Sequence, residues 1–171
     1  ILEIEKNFPS LASKKSISTS VGYKPSKSFE KYKHKIPMLS LSNAFNSDDL
    51  KNFEKKIVNF LNNKPKFQYS VEPKIDGISA SLTYKNKKFI YGVSRGDGQI
   101  GEIITENLKT IKDIPKKINS NNFPDEIEIR GEVFIKKKDF FKIKDKFANP
   151  RNAASGSLRQ KDPNETKKIP L

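Results

Sequence analysis

Apolar positions along this chain recur with two periods, and the places where the period changes mark its elements. Leu2, Ile4, Phe8 and Leu11 are spaced like the end of a helix over residues 1–11, and a Ser/Lys-rich irregular stretch follows to about Lys35. Leu50, Phe53, Ile57, Phe60 and Leu61 recur at helical spacing over about 48–62. Ser47 or Asp48 stands ready to cap that helix, and the stripe reads as core. Period two then takes over, predicting strands at 67–72, 78–84 and 89–95, the last two joined by the polar turn Lys85-Asn86-Lys87-Lys88. Ile78, Ala80, Leu82 and Tyr84 fall on one face of their strand, as do Phe89, Tyr91 and Val93 of the next. After Gly101, the spacing of Ile104, Leu108 and Ile111 predicts a helix ending before Pro115. Residues 126–135 form the clearest strand. Ile127, Ile129, Gly131, Val133 and Ile135 take one face and Glu128, Arg130 and Glu132 the other, as on a surface strand or beside a polar site. Phe140–Lys146 reads as helix, and Pro150 opens a short helix whose N-terminus can meet an anion. No internal repeat is present.

Composition narrows this picture modestly. A chain of 171 residues suits one domain with a real core, and a hydrophobic content of 34% makes that domain a polar one. The net charge of +14 favours a polyanionic partner, because each neutralised phosphate releases counterions. Lysine and asparagine enrichment also arises from biased genome composition, so charge alone does not choose the partner. The chain has no cysteine, which excludes disulfides and thiolate metal sites within it and is compatible with a reducing cytoplasm. No apolar run reaches membrane-spanning length and no signal-like start is present. The chain opens on Ile1, and its single methionine is Met38, so it reads as a fragment. The single histidine, His34, sits in a lysine cluster and is expected at the surface.

Candidate chemistry centres on Val71-Glu72-Pro73-Lys74-Ile75-Asp76-Gly77. A lysine with a pKa of roughly 10.4 is protonated at neutral pH and has no lone pair to attack with. It becomes a nucleophile where its surroundings, or a charged partner, help remove the proton. Flanking carboxylates act in the opposite sense, so Glu72 and Asp76 read as groups that hold a substrate. Gly77 allows a close approach to the backbone. A charged hairpin turn would show the same residues. The arginines, by contrast, stand out from the lysine background: Arg95, Arg130, Arg151 and Arg159 all fall in glycine-bearing segments, where a planar bidentate donor suits phosphate or carboxylate recognition.

Five segments in order carry a resemblance. Pro37-Met38-Leu39-Ser40-Leu41-Ser42-Asn43-Ala44-Phe45 precedes the lysine motif. Ser94-Arg95-Gly96-Asp97-Gly98-Gln99-Ile100-Gly101-Glu102, Ile129-Arg130-Gly131-Glu132-Val133-Phe134, and the run from Phe147 to Gln160 with its Asn149-Pro150-Arg151-Asn152 follow it. Over nearly its whole length the chain resembles the adenylation domain of bacterial NAD-dependent DNA ligases. The resemblance implies an α+β fold, an antiparallel-sheet nucleotidyltransferase (ATP-grasp-like ligase adenylation) domain with flanking helices. Residues 1–35 are then the end of an N-terminal helical subdomain and a linker, and 36–171 the adenylation domain, truncated before its last motifs.

The same resemblance implies the roles. Lys74 matches the nucleophile that attacks the α-phosphate of NAD, releases nicotinamide mononucleotide and becomes a lysyl-AMP, with AMP then passed to the 5′-phosphate of a DNA nick for sealing. Ser40 and Leu41 match positions lining the nucleotide pocket, and Glu72 a contact to adenine. Arg95 matches a ribose and nucleotide contact that also meets DNA, and Glu132 a ribose-binding glutamate. Asp76 organises the motif turn and the sugar. Asn149, Arg151 and Arg159 match the segment that approaches the nick and its phosphates. NAD and magnesium are the implied cofactors, without a named protein ligand for magnesium. Nicked double-stranded DNA is the implied partner, for a monomer in the cytoplasm with no membrane association. Because the chain keeps only part of what the family uses to steady the phosphates, these 171 residues alone are expected to fall short of completing adenylation. Two other classes remain open on the residues: a nucleotidyltransferase using ATP or GTP, and a basic nucleic-acid-binding module that does not catalyse.

Overall fold

In the computed structural model, residues 29–40, 42–63 and 66–171 are described. The helix expected over 1–11, most of the linker after it, and Leu41 lie outside them. The chain divides into two compact units, one running to Leu39 and resuming at Ile75–Leu171, the other Ser40–Lys74.

The larger unit is built on antiparallel pairing. β2 (Ile78–Lys85) sits between β3 (Lys88–Ser94) and β5 (Glu126–Val133), while β1 (Lys31–Lys33) pairs with β4 (Ile100–Glu102). Asn86 and Lys87 both take positive φ, 49° and 63°, the left-handed conformation that a two-residue hairpin turn requires of its central positions. The alternation expected on β3 is interrupted. Thr83 pairs with Tyr91 but Tyr84 pairs with Phe89, so Ile90 is an extra residue in a β-bulge. The bulge moves Phe89 to the face of Ala80 and Tyr84, away from Tyr91 and Val93, because one inserted residue inverts every side chain beyond it. Gly92 accordingly lies on the core face, where an added Cβ would come within 2.3 Å of Leu108 Cδ1.

That core joins Ala80, Tyr84, Phe89, Ile104, Leu108, Ile111 and Leu158. The helix after Gly101 is a single turn, α2 (Thr105–Leu108), yet Ile104, Leu108 and Ile111 are all buried as its spacing requires. Residues 137–146 form two short pieces, α3 (Lys137–Phe140) and a 3₁₀ turn at Lys144–Lys146, where one helix was expected over 140–146. α4 (Pro150–Leu158) and α5 (Pro163–Lys167) close the unit. Ala153 and Ala154 of α4 pack with Ile135 in a second small core. The resulting mixed architecture with antiparallel sheets agrees with the class expected from sequence.

The smaller unit holds α1 (Ser47–Leu61). Its cap is Asn46, whose side chain accepts from the Asp49 amide at 2.9 Å, one residue earlier than expected. Asn62 ends it in the left-handed conformation with φ 47°. The apolar stripe has the predicted spacing, but it is not core: no α1 residue is buried, and Phe60 is 88% exposed. Helical period reports amphipathicity, and the partner that would cover the stripe is a separate matter. Residues 67–72 are irregular rather than a strand, with Phe67 and Tyr69 stacked and the Tyr69 hydroxyl donating to Glu54. Among the described residues, no helix is long and apolar enough to cross a membrane.

Candidate active site

Glu132 projects from β5 toward the start of β2. Its Oε1 accepts from the Gly77 amide at 3.1 Å and its Oε2 from the Ser79 hydroxyl at 2.7 Å. The residue expected to face a polar site therefore braces the Asp76-Gly77 end of the lysine motif. Gly77 is required there by space, since a Cβ would stand 2.2 Å from the Val133 carbonyl oxygen and 2.9 Å from Phe134 Cβ. One residue earlier, Arg151 Nη1 donates to Asp76 Oδ1 at 2.7 Å. Both side chains of that pair are at least half exposed, which makes it a weak tether. Lys74 is exposed and lies two residues before Asp76 in the chain. In the smaller unit, Ser40 is exposed, and Glu72, also exposed, accepts from the Ser70 hydroxyl at 2.9 Å.

Arg95, Arg151 and Arg159 line one cleft of about 320 Å³ together with Ile78, Ser79, Ser94 and Gly96. The loop between β3 and β4 delivers Arg95. Gly96 at φ 58° turns the chain so tightly that a Cβ would fall 1.8 Å from the Ile100 carbonyl oxygen. Asp97 accepts from the Gln99 and Ile100 amides at 2.9 and 2.7 Å and closes the loop. α4 delivers the other two arginines: Asn149 caps it by accepting from the Asn152 amide at 2.7 Å, and Pro150 occupies the first turn. A buried polar chain holds α4 in place. Asn107 donates to Thr166 Oγ1 at 2.7 Å and to the Gln160 carbonyl at 2.8 Å, and Thr166 donates to the Ser157 carbonyl at 2.7 Å.

One sequence expectation is corrected here, that His34 lies at the surface. His34 is buried, 5% exposed, with Nε2 3.2 Å from both the Ser94 and Arg95 carbonyl oxygens. As donor it holds the backbone from which Arg95 projects; a lone histidine among lysines gave no sign of this, because its partners are distant in sequence. Arg130 lies outside the cleft. It pairs with Glu128 at 2.7 Å and donates to the Ile36 and Pro37 carbonyls, fixing the segment that leads into Met38. Burial raises the pKa of Glu128, but the Arg130 guanidinium and the Ser81 hydroxyl outweigh it and leave that carboxyl below its ordinary range. Among the described residues, no three histidine, cysteine or carboxylate side chains converge to hold a metal ion.

Residues 26–171 match the family model described as NAD-dependent DNA ligase adenylation domain. A DNA ligase of Pelagibacter ubique is 65% identical over 173 residues, covering 100% of this chain and 26% of that protein. A DNA ligase of Rickettsia bellii is 50% identical over 99% of this chain and 26% of its own length. One of Parvibaculum lavamentivorans is 48% identical over 98% of the chain and 25% of its own length. The chain thus spans about a quarter of the length of these curated relatives.

Proposed function

The chain belongs to the family of NAD-dependent DNA ligase adenylation domains, and we propose on that premise that Lys74 accepts AMP from NAD as the first step of sealing nicked DNA. The fold inferred is the nucleotidyltransferase fold of ligases. Once deprotonated, Lys74 Nζ attacks the α-phosphorus. A P–N bond forms, the P–O bond to nicotinamide mononucleotide breaks, and the mononucleotide leaves with the electron pair. A 5′-phosphate oxygen of the nick then attacks the same phosphorus, the P–N bond breaks and the lysine is restored. The 3′-hydroxyl finally displaces AMP from the adenylated end. Such transfers demand positioning and charge neutralisation more than covalent help from other side chains.

The remaining roles follow from the same reading. Ser40 and Leu41 line the nucleotide pocket, and Glu72 contacts adenine. Glu132 binds ribose hydroxyls while keeping its hold on Gly77, since a carboxylate has lone pairs for about four donors. Arg95 meets the nucleotide and then DNA, and Asn149, Arg151 and Arg159 meet phosphates near the nick. The partner is nicked duplex DNA, bound by a monomer in the cytoplasm.

One observation carries the proposal: Glu132 of the Arg-Gly-Glu strand is bonded directly to Gly77 of the lysine motif, so two segments distant in sequence act as one constellation. The test is covalent labelling. In a full-length ligase carrying this chain as its matching segment, incubation with NAD should add one AMP at Lys74, in an acid-labile and alkali-tolerant linkage, and Lys74→Ala and Lys74→Arg should both abolish it. Arginine fails because its guanidinium does not lose a proton in proteins. Labelling by ATP but not NAD would overturn the assignment.

A further inference from the structure

The cleft lined by Arg95, Arg151 and Arg159 has a buried acid behind it. Glu102 closes β4 with only 1% exposure, and its Oε2 lies 3.5 Å from Nε of Arg159, whose side chain is 32% exposed. The Glu102 backbone is fixed independently, by donation of its amide to Ser94 Oγ at 3.0 Å and by pairing of β4 with β1. Arg159 therefore reaches from a buried anion to a cleft open to solvent. A guanidinium is a rigid plane with five N–H donors, so a carboxylate that holds its Nε edge also sets the direction of the other donors. Charge balance alone works the other way, since an acid behind three arginines lowers their attraction for phosphate.

We propose that Glu102 is a positioning residue, holding Arg159 in the orientation in which it meets a nucleic-acid phosphate in this cleft. The proposal rests on the reading that the cleft takes DNA phosphate. The two pictures of Glu102 predict opposite signs. If it only neutralises charge, Glu102→Gln strengthens DNA binding; if it orients Arg159, the same isosteric change weakens it.

The experiment is fluorescence anisotropy of a labelled nicked duplex with the 171-residue protein across a salt series, with thermal melts of each variant. Arg159→Ala should flatten the log–log salt slope by about 0.9, the share of one phosphate contact. Glu102→Gln should weaken binding roughly threefold or more, in keeping with loss of a charge-assisted geometry, and should have no further effect in the Arg159→Ala background. Should Glu102→Gln fail to fold, Arg159→Lys decides: it keeps the charge but lacks the planar fork, and should bind more weakly than the parent. If Arg159→Ala binds like the parent, the phosphate reading of the cleft fails. If Arg159→Ala weakens binding while Glu102→Gln leaves it unchanged, strengthens it, or weakens it equally in both backgrounds, the positioning role is overturned. Equal binding by Arg159→Lys overturns it too.

Discussion

Glu132→Ala removes the acceptor for both the Gly77 amide and the Ser79 hydroxyl. Denaturant melts should show a loss of roughly 3 kcal/mol or more, since the two hydrogen bonds to a charged group each contribute about 1.5–3 kcal/mol and a buried amide is left unpaired. Glu132→Gln separates support from binding. Its amide oxygen can still accept from Gly77, so stability should fall less, while nucleotide interaction should weaken by roughly 1.5–3 kcal/mol through loss of the charge-assisted ribose bonds. A Gln variant that labels as fast as the parent would make Glu132 purely structural. Gly77→Ala forces a methyl against the Val133 carbonyl, a contact of 2.2 Å before relaxation. It should cost roughly 1–3 kcal/mol, as overpacking typically does. The lysine motif and the Arg-Gly-Glu strand were legible in the sequence, because each depends on local residue type; Gly77 was legible as a point of close approach, but not that the Val133 carbonyl makes that approach. His34 and Glu102 were not, because their roles come from partners brought near only by folding.

Among the elements, period two identified β2, β3 and β5 within a residue or two, and the Asn86-Lys87 turn between β2 and β3. The bulge at Ile90 escaped because an inserted residue leaves no mark in composition and shows itself only through pairing register. The stripe on α1 was read correctly as amphipathic and wrongly as buried. Near the bulge, the Tyr32 hydroxyl of β1 is hydrogen-bonded to that of Tyr91 on β3 at 2.8 Å. That bond, with burial assisting, pushes the Tyr32 pKa from 10.0 up to about 12. The folded pKa is raised, so its contribution to stability is complete below pH 10 and is lost as pH rises through about 12. A melt series from pH 8 upward should lose stability over that window in the parent, and Tyr91→Phe should flatten the dependence there. An identical profile in Tyr91→Phe would show that the pair contributes nothing.

For the whole molecule, the proposed DNA partner, with the net charge of +14 and the arginine-lined cleft, predicts binding whose log affinity falls linearly with log salt. With few phosphate contacts the slope should be shallow, and it should not depend on DNA sequence. That behaviour alone would suit a basic module without catalysis, so only the chemistry of Lys74 separates a ligase from such a module. The most direct test replaces the matching quarter of the Pelagibacter ubique ligase with this chain and supplies NAD labelled in its adenylate half. Intact mass and peptide mapping then locate the adduct. One AMP per molecule is expected on Lys74, absent from Lys74→Ala and Lys74→Arg, with nicotinamide mononucleotide released in equal amount. Adenylation from ATP in preference to NAD, or an adduct that maps elsewhere and survives in Lys74→Ala, would contradict the assignment.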